Sequence, residues 1–221
     1  AQELAAEKLQ SLHNAIRKYE PGSGSAGWRE RLGLGRRKFD PPQGLYIFGG
    51  VGRGKSMLMD LFFLAAPVAK KRRVHFHAFM LEVHDSLHRR RQAGEADGDP
   101  IPPLAREIGD SAWLLCFDEF HVSNIADAML LSRLFGALFD RGVVVVATSN
   151  APPDELYKDG LQRDQFLPFI ALLQQRLDIL ELDGEMDYRL ARLKGMTVYH
   201  CPLDAGAERK LDEAFARLTD G

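Results

Sequence analysis

The stretch that most constrains the fold of this chain has the form G-x-x-x-x-G-K-S and reads Gly49-Gly50-Val51-Gly52-Arg53-Gly54-Lys55-Ser56. It lies between an apolar run, residues 45–48, and a helical run, residues 57–63. In such a strand, loop and helix unit, backbone N–H groups converge on an anion at the N-terminus of the helix. Glycines let the backbone approach phosphate oxygens, Lys55 supplies charge to the β- and γ-phosphates, and the Ser56 hydroxyl can bind Mg²⁺. The stretch therefore predicts a triphosphate-binding loop, and the alternative is a glycine-rich turn before a surface helix.

The composition is that of an ordinary globular protein. With 221 residues, 45% of them hydrophobic and 27% charged, a chain of this size can bury about 70% of its unfolded surface. The 31 acidic and 29 basic residues give a net charge of −2, so no global field attracts nucleic acid or anionic lipid, and we do not expect a nucleic-acid partner. Residues 57–69 are too short to span a bilayer, and we expect no signal peptide at the start of the chain. Because two cysteines, Cys116 and Cys201, are too few for a disulfide framework, we expect a cytoplasmic protein.

Strand and helix patterns alternate along the chain, which predicts a parallel sheet covered by helices. An apolar stripe predicts an amphipathic helix over 3–19, followed by a flexible linker at 21–27. Strands are predicted at 45–48, 72–77, 113–117, 143–147 and 177–182, with helices at 57–63, 79–91, 104–108, 125–140, 154–157 and 166–176 and a loop at 92–103. A weak strand at 197–200 and a helix at 204–218 follow. We divide the chain into an N-terminal helix and linker, 1–43, a nucleotide-binding core, 44–186, and the start of a C-terminal part, 187–221.

Polar side chains follow the third and fourth predicted strands, where ligands of open parallel sheets bind. A buried strand that ends in two carboxylates, Asp118 and Glu119, indicates a nearby cation, because an unpaired buried charge is costly. Asp118 can hold a phosphate-bound Mg²⁺, usually through water, while Glu119 can orient and deprotonate the attacking water. Asn150 can hold that water or the γ-phosphate by its amide, although Asn-Ala-Pro-Pro is also typical of a simple turn.

Several other residues admit two interpretations. Arg163 is either a surface arginine or an arginine finger that reaches the γ-phosphate of a neighbouring subunit. His77, at the end of the second predicted strand, is a hypothetical orienting group for Glu119. His84 and His88 have a zinc-like helical spacing, but the metalloprotease pattern needs Glu where Asp85 stands, and no third ligand is evident. The basic runs at 70–73 and 88–91 are either solvated element ends or a binding patch, and the near-neutral charge favours the first.

From about residue 44 to residue 204 the chain resembles the AFG-type AAA+ ATPases, a family with a bacterial cell-division ATPase and mitochondrial members. The resemblance is carried by residues 44–56, Arg-Arg-Val-His-Phe-His at 72–77, Cys-Phe-Asp-Glu-Phe-His-Val at 116–122, Ala-Thr-Ser-Asn at 147–150 and Leu-Gln-Arg-Asp-Gln-Phe-Leu-Pro-Phe-Ile at 161–170. It implies an AAA+ type P-loop sandwich of three layers, with a five-stranded parallel sheet, that hydrolyses ATP with Mg²⁺ and assembles into rings. Lys55 and Ser56 correspond to the Walker A loop, Asp118 and Glu119 to Walker B, Asn150 to the first sensor, and Arg163 to the arginine finger.

The chain departs from the family pattern in places. Ser56 stands where many relatives have Thr, which is a harmless exchange of hydroxyls, and Asn124 stands where we expect Asp, so its role is open. Relatives continue well past residue 221, so we expect the second-sensor arginine and the rest of the lid to lie outside this chain. Arg189 and Arg192 are the local substitutes.

The resemblance implies a protein partner in cell division, namely filament-forming FtsZ. The predicted function is Mg²⁺-dependent ATP hydrolysis coupled to remodelling or regulation of that partner. The alternative is a binding module that ATP switches, with little turnover. Phosphate release would separate the two.

Overall fold

A computed structural model describes residues 2–19, 21, 41–93, 98–183, 206, 208, 209 and 212. The strands in these ranges are β1 (Gly44–Phe48), β2 (Lys71–His75), β3 (Leu114–Asp118), β4 (Val144–Ser149) and β5 (Leu177–Glu181). The α-helices are α1 (Gln2–Ile16), α2 (Lys55–Ala65), α3 (Phe76–Gln92), α4 (Ile101–Ser111), α5 (Ile125–Asp140) and α6 (Leu167–Arg176). Two short 3₁₀ turns, Pro153–Glu155 and Arg163–Gln165, lie between β4 and α6.

The five strands form one parallel sheet in the order β2-β3-β4-β1-β5. After β1 the chain crosses two strands to reach β2 at the edge, and it later returns through β3 and β4. The carboxyl ends of β1, β3 and β4 therefore lie side by side, with Phe48 paired to Ser149 and Phe117 paired to Ala147. This is the predicted fold class, and the strand order gives the reversal at which open parallel sheets bind ligands.

The sheet is buried on both faces, because alternate residues of a strand point to opposite sides. Leu45 and Ile47 of β1 lie in a cluster with α1 and α2, whereas Tyr46 lies in the cluster formed with α3 to α6. Helix α1 contributes Ala5, Leu9, Leu12 and Ile16 to the first cluster. Since burying one Leu or Ile side chain is worth about 1.5–3 kcal/mol, α1 is held firmly on the layer that carries the glycine loop.

Several element boundaries differ from the prediction for identifiable reasons. Strand β2 ends at His75, and His77 lies in the first turn of α3, so its predicted position at a strand end was wrong. The burial of Phe76, Phe79 and Met80 shows why, since this spacing is helical. Helix α4 begins within the predicted loop 92–103, because its Pro102 and Pro103 stand in the first turn, where no intrahelical N–H is needed.

The other differences are small. Strand β4 continues to Ser149, and the helix predicted at 154–157 is the 3₁₀ turn at Pro153–Glu155. The residues described beyond position 183 are helical and fall within the predicted helix 204–218. The predicted strand 197–200, Arg189, Arg192 and all but the first residue of the predicted linker 21–27 lie outside the described residues.

Three residues of the basic run at 70–73 have side-chain partners within the chain, whereas Lys70 is exposed. Lys71 donates to the backbone oxygens of Phe63 (2.5 Å) and Ala66 (2.8 Å) at the C-terminus of α2, where a cation is favourable. Arg72 forms an ion pair with the exposed Glu82, and Arg73 points toward the third strand. In the second run, Arg90 pairs with Glu107 of α4.

In the part of the chain that is described, every helix is too short or too polar to cross a membrane.

Candidate nucleotide-binding site

The glycine loop joins the end of β1 to the start of α2. A Cβ on Gly49, whose φ is +150°, would lie 2.4 Å from the backbone oxygen of Leu182. Gly54 has φ of 84° and forms the N-cap of α2, a left-handed conformation that glycine adopts without strain. The loop lines a cavity of about 340 Å³ together with Asp118, Glu119 and the end of β4. This volume lies within the usual range of small-molecule sites.

Lys55 connects this loop to the end of β4. Its side chain is buried, with 9% of the residue exposed, and Nζ donates to the backbone oxygens of Gly49 (2.6 Å) and Gly50 (2.8 Å). It also donates to Oδ1 of Asn150 at 3.0 Å. These acceptors are neutral, so an anion in the cavity would be a stronger partner for the ammonium group. The structure thus brings together two predicted site residues from different strand ends.

Asp118 is the centre of the polar contacts in the cavity. Its Oδ1 accepts hydrogen bonds from Ser56 Oγ (3.1 Å) and Thr148 Oγ1 (2.5 Å), and its Oδ2 accepts one from Arg73 Nη2 (2.9 Å). Only 4% of Asp118 is exposed, and a buried carboxylate needs such partners. Ser56 and Asp118, each of which the sequence predicts beside Mg²⁺, are therefore in contact, and their role as metal ligands remains a prediction.

Glu119 follows β3 in an unusual backbone conformation, with φ of 55°. Its backbone N–H donates to Thr148 Oγ1 at 3.2 Å, and the next N–H, of Phe120, donates to the Thr148 oxygen at 2.7 Å. Ser149 Oγ donates to the Phe120 oxygen at 2.8 Å. A positive φ at a residue other than glycine persists only where its surroundings hold it. The end of β4 therefore fixes the turn that presents the exposed Glu119 side chain to the cavity.

A model of the AFG1-like ATPase family matches residues 1–221 of this sequence. The chain belongs to the AFG1-like ATPase family. It is 42% identical over 226 residues to the cell division protein ZapE of Escherichia coli K12, an alignment that covers 100% of this chain and 59% of ZapE. It is also 48% identical over 186 residues to lactation elevated protein 1 homolog B of Danio rerio, which covers 80% of this chain and 37% of that protein. The resemblance predicted from the motifs is confirmed. This AFG1-like chain spans 59% of the length of the first relative and 37% of the second.

Solved structures with the same fold come from replication proteins. Domain III of the replication initiation protein DnaA from Thermotoga maritima matches with a TM-score of 0.54 at 16% identity, covering 87% of this chain and 65% of that one. AMPPCP-bound DnaA from Aquifex aeolicus matches with a TM-score of 0.50 at 14% identity, covering 99% and 60%. At these identities the likeness shows that the AFG1-like chain has the AAA+ fold of P-loop proteins and carries no further functional argument.

A second cavity of about 570 Å³ adjoins the glycine-loop cavity of the AFG1-like chain and shares Glu119 and Asn150 with it. His77 of α3 also lines this second cavity. His77 and Glu119 therefore line the same cavity, even though His77 lies on a helix and not at a strand end. The hypothesis that His77 orients Glu119 remains a prediction.

His84 and Asn124, the residue that differs from the family pattern, both have partners in the structure. His84 Nε2 lies 2.6 Å from Asp127 Oδ1 in the first turn of α5. Asn124 is the N-cap of that helix, because its Oδ1 accepts a hydrogen bond from the Asp127 N–H at 2.8 Å. Asparagine and aspartate cap helices about equally well, so the exchange of the expected Asp for Asn leaves this role intact.

Arg163 lies apart from the cavity of its own chain. It opens the 3₁₀ turn before α6, and its Nη2 donates to the backbone oxygen of Asp154 at 2.5 Å. It is not among the residues that line the glycine-loop cavity. The structure therefore does not bring Arg163 together with the other predicted site residues, and its role as an arginine finger for another subunit remains a prediction.

Sequence reasoning missed two side chains that hold Asp118, namely Arg73 and Thr148. Thr148 was visible as a polar residue at the end of the most β-branched strand, and it is 1% exposed. Arg73 was seen only as part of a basic run. In the sheet it pairs with Cys116, two residues before Asp118, so both side chains lie on the same face within diagonal reach. Knowing the strand register would have identified Arg73.

Proposed function

We propose that this chain is the ATPase part of an AFG1-like AAA+ protein that hydrolyses ATP with Mg²⁺ and couples turnover to remodelling or regulation of a protein partner. The observation that carries the proposal is the convergence of Lys55, Ser56, Asp118, Glu119 and Asn150 on one cavity. These residues come from the carboxyl ends of two adjacent strands, β3 and β4, and from the start of α2, which follows the glycine loop after β1. Because the chain spans 59% of the length of ZapE, the activity of the whole protein is part of the proposal.

The oxygen atoms in the cavity suit magnesium. Ser56 Oγ and Asp118 Oδ1 are 3.1 Å apart, and Mg²⁺ prefers hard oxygen ligands, taking one or two from protein and the rest from water and phosphate. We propose that Ser56 and Asp118 hold the ion, Asp118 usually through water. When bound with ATP, the ion neutralises charge that develops on the phosphates.

The remaining residues have distinct proposed roles. Lys55 and the backbone N–H groups of residues 49–56 bind the phosphates. Glu119, fixed by the end of β4, orients the attacking water and accepts its proton, and Asn150 positions that water or the γ-phosphate. Arg163 completes the site of a neighbouring subunit. Lys55 and Asn150 are already in contact at 3.0 Å, so both are placed to respond to the same ligand.

The Glu119→Gln variant tests this proposal, with Glu107→Gln, a change of an exposed glutamate of α4, as its matched control. The Glu119 variant should bind a fluorescent ATP analogue with wild-type affinity and release no phosphate above background, because only the proton acceptor is lost. The control should bind and hydrolyse as the wild type does. Turnover retained by Glu119→Gln would contradict the assignment of the base.

The alternative function, an ATP-switched binding module with little intrinsic turnover, is separated by the same measurement. Under that alternative the wild type binds the analogue yet releases phosphate no faster than Glu119→Gln. Measuring phosphate release from this chain and from a full-length protein shows whether low turnover is a property of the shorter chain only.

We further propose a role in cell division, because the E. coli relative is a cell division protein, with FtsZ filaments as a partner. The full-length Glu119→Gln protein should co-sediment with FtsZ filaments when ATP is present. It should not co-sediment with them when ADP replaces ATP. We also propose nucleotide-dependent homo-oligomers, and sedimentation as a monomer at high concentration with an ATP analogue would contradict them. A cytoplasmic location and the absence of a nucleic-acid partner remain predictions.

A further inference from the structure

The guanidinium of Arg73 lies between two carboxylates. Its Nη2 is 2.9 Å from Asp118 Oδ2, and its Nη1 is 3.0 Å from Asp60 Oδ1 on α2. The Arg73 side chain is 29% exposed and that of Asp60 is 49% exposed, whereas Asp118 is buried. The strong contact is therefore the one to Asp118, since an ion pair gains strength as its surroundings exclude water. Asp60 restrains the arginine from the solvent side.

The two oxygens of Asp118 have separate partners. Oδ1 accepts hydrogen bonds from the hydroxyls of Ser56 and Thr148, and Oδ2 accepts one from the guanidinium of Arg73. The guanidinium of arginine is a cationic group that only donates hydrogen bonds, so it supplies positive charge to Oδ2. The carboxylate is thus oriented with Oδ1 toward the glycine loop, and its charge is balanced from the opposite side.

We propose that Arg73 is the positioning residue of this site and the counter-charge of Asp118, and that it orients the carboxylate and balances its charge independently of magnesium. The inference rests on the proposed function, in which Mg²⁺ binds beside Asp118. It has a consequence for stability. Without Arg73, a bound Mg²⁺ would balance the buried carboxylate, so the stability of the fold would come to depend on the metal.

The test is Arg73→Met, which keeps the length of the side chain and removes the charge, with Arg72→Met as the matched control. Arg72 is the preceding residue of the same strand, and it pairs with the exposed Glu82. Urea unfolding is measured in EDTA and in saturating MgCl₂ with ADP. In EDTA, Arg73→Met should raise the unfolding equilibrium constant about 100-fold, and Arg72→Met less than about 5-fold. With MgCl₂ and ADP, the increase in the unfolding equilibrium constant that Arg73→Met causes should fall to about 10-fold or less, since Mg²⁺ then replaces the lost charge.

Three further comparisons support the test, and the first two keep it decisive if Arg73→Met folds poorly. Arg73→Lys restores the charge without the two-pronged geometry, and it should recover most of the stability in EDTA. Asp60→Asn removes only the outer anchor and should shift stability in the same direction as Arg73→Met by a smaller factor. In an Asp118→Asn background, Arg73→Met should have little effect, because no buried charge remains to be balanced.

Three outcomes would overturn the proposal. The first is that Arg73→Met destabilises the fold no more than Arg72→Met does in EDTA. The second is that its destabilisation is the same with and without MgCl₂. The third is that its destabilisation is the same in the Asp118→Asn background as in the wild type. The second outcome would show an ordinary structural ion pair. The EDTA measurements and the Asp118→Asn comparison involve no nucleotide and no turnover. A failure of the proposed ATPase function would therefore leave them unaffected and would be recognised separately by phosphate release.

Discussion

The Thr148 hydroxyl should be worth several kilocalories per mole to this fold, and Thr148→Val measures that contribution. The hydroxyl donates to Asp118 Oδ1 at 2.5 Å and accepts the Glu119 N–H at 3.2 Å. A hydrogen bond to a charged group contributes about 1.5–3 kcal/mol, and an N–H left unsatisfied costs about 1 kcal/mol or more. Because Asp118 keeps Ser56 and Arg73, we expect a total loss of about 2–4 kcal/mol. At about 2–4 °C per kcal/mol for a chain of this length, Tm should fall by about 5–15 °C.

The control for this prediction is Thr148→Ser, which keeps the hydroxyl and removes one buried methyl group. That methyl is worth about 1 kcal/mol, so thermal and urea unfolding should rank the wild type above the serine variant and the serine variant above the valine variant. Phosphate release should fall more for valine than for serine, since only valine frees the Glu119 N–H. A valine variant as stable as the serine variant would refute the reasoning, because packing rather than the hydroxyl would then join β3 to β4.

Three further changes test other parts of the structure. Gly49→Ala should abolish binding of a fluorescent ATP analogue and lower Tm, because its Cβ would meet the Leu182 oxygen at 2.4 Å. Burial raises the pKa of the Cys116 thiol to about 12. Since the thiolate is the reactive form, Cys116 should resist iodoacetamide at pH 8 in a Cys201→Ser protein and react only in denaturant. Tyr46→Phe should cost about 1 kcal/mol in urea unfolding, because the buried hydroxyl donates to a backbone oxygen at 2.9 Å just after β4.

Much of the fold followed from patterns that are local in sequence. The run at 113–117 is continuously apolar, the run at 143–147 is β-branched, and each ends in polar residues, which is how strands buried on both faces end at a ligand site. Together with the glycine loop, these features located Asp118, Glu119 and Asn150 at one edge of the sheet. Local reasoning succeeded because the carboxyl ends of parallel strands meet at a single edge whatever the strand order.

The rest depended on distances between segments that sequence spacing does not contain. Arg73 reaches Asp118 because β2 lies beside β3 in a particular register, and a shift of one residue would point it to the other face. The positive φ of Glu119 depends on contacts with Thr148, 29 residues away. The misplaced His77 has a different cause. The alternation of polar and apolar residues at 72–77 favours a strand up to residue 77. In the structure the chain enters α3 at Phe76, which is buried against β3.

The position of Arg163 leads to the sharpest prediction about assembly. It is anchored to the Asp154 oxygen and does not line the cavity of its own chain, so a catalytic contribution requires a head-to-tail interface, in which one surface meets a different surface of the next copy. Arg163→Ala and Glu119→Gln should each be inactive alone. In a randomly mixed assembly, about one quarter of the interfaces join an intact Glu119 to a neighbour with an intact Arg163. An equimolar mixture of full-length variants should therefore recover up to about a quarter of the wild-type phosphate release. A mixture that is as inactive as its components, while sedimenting as an oligomer with ATP, would show that Arg163 does not act on a neighbour.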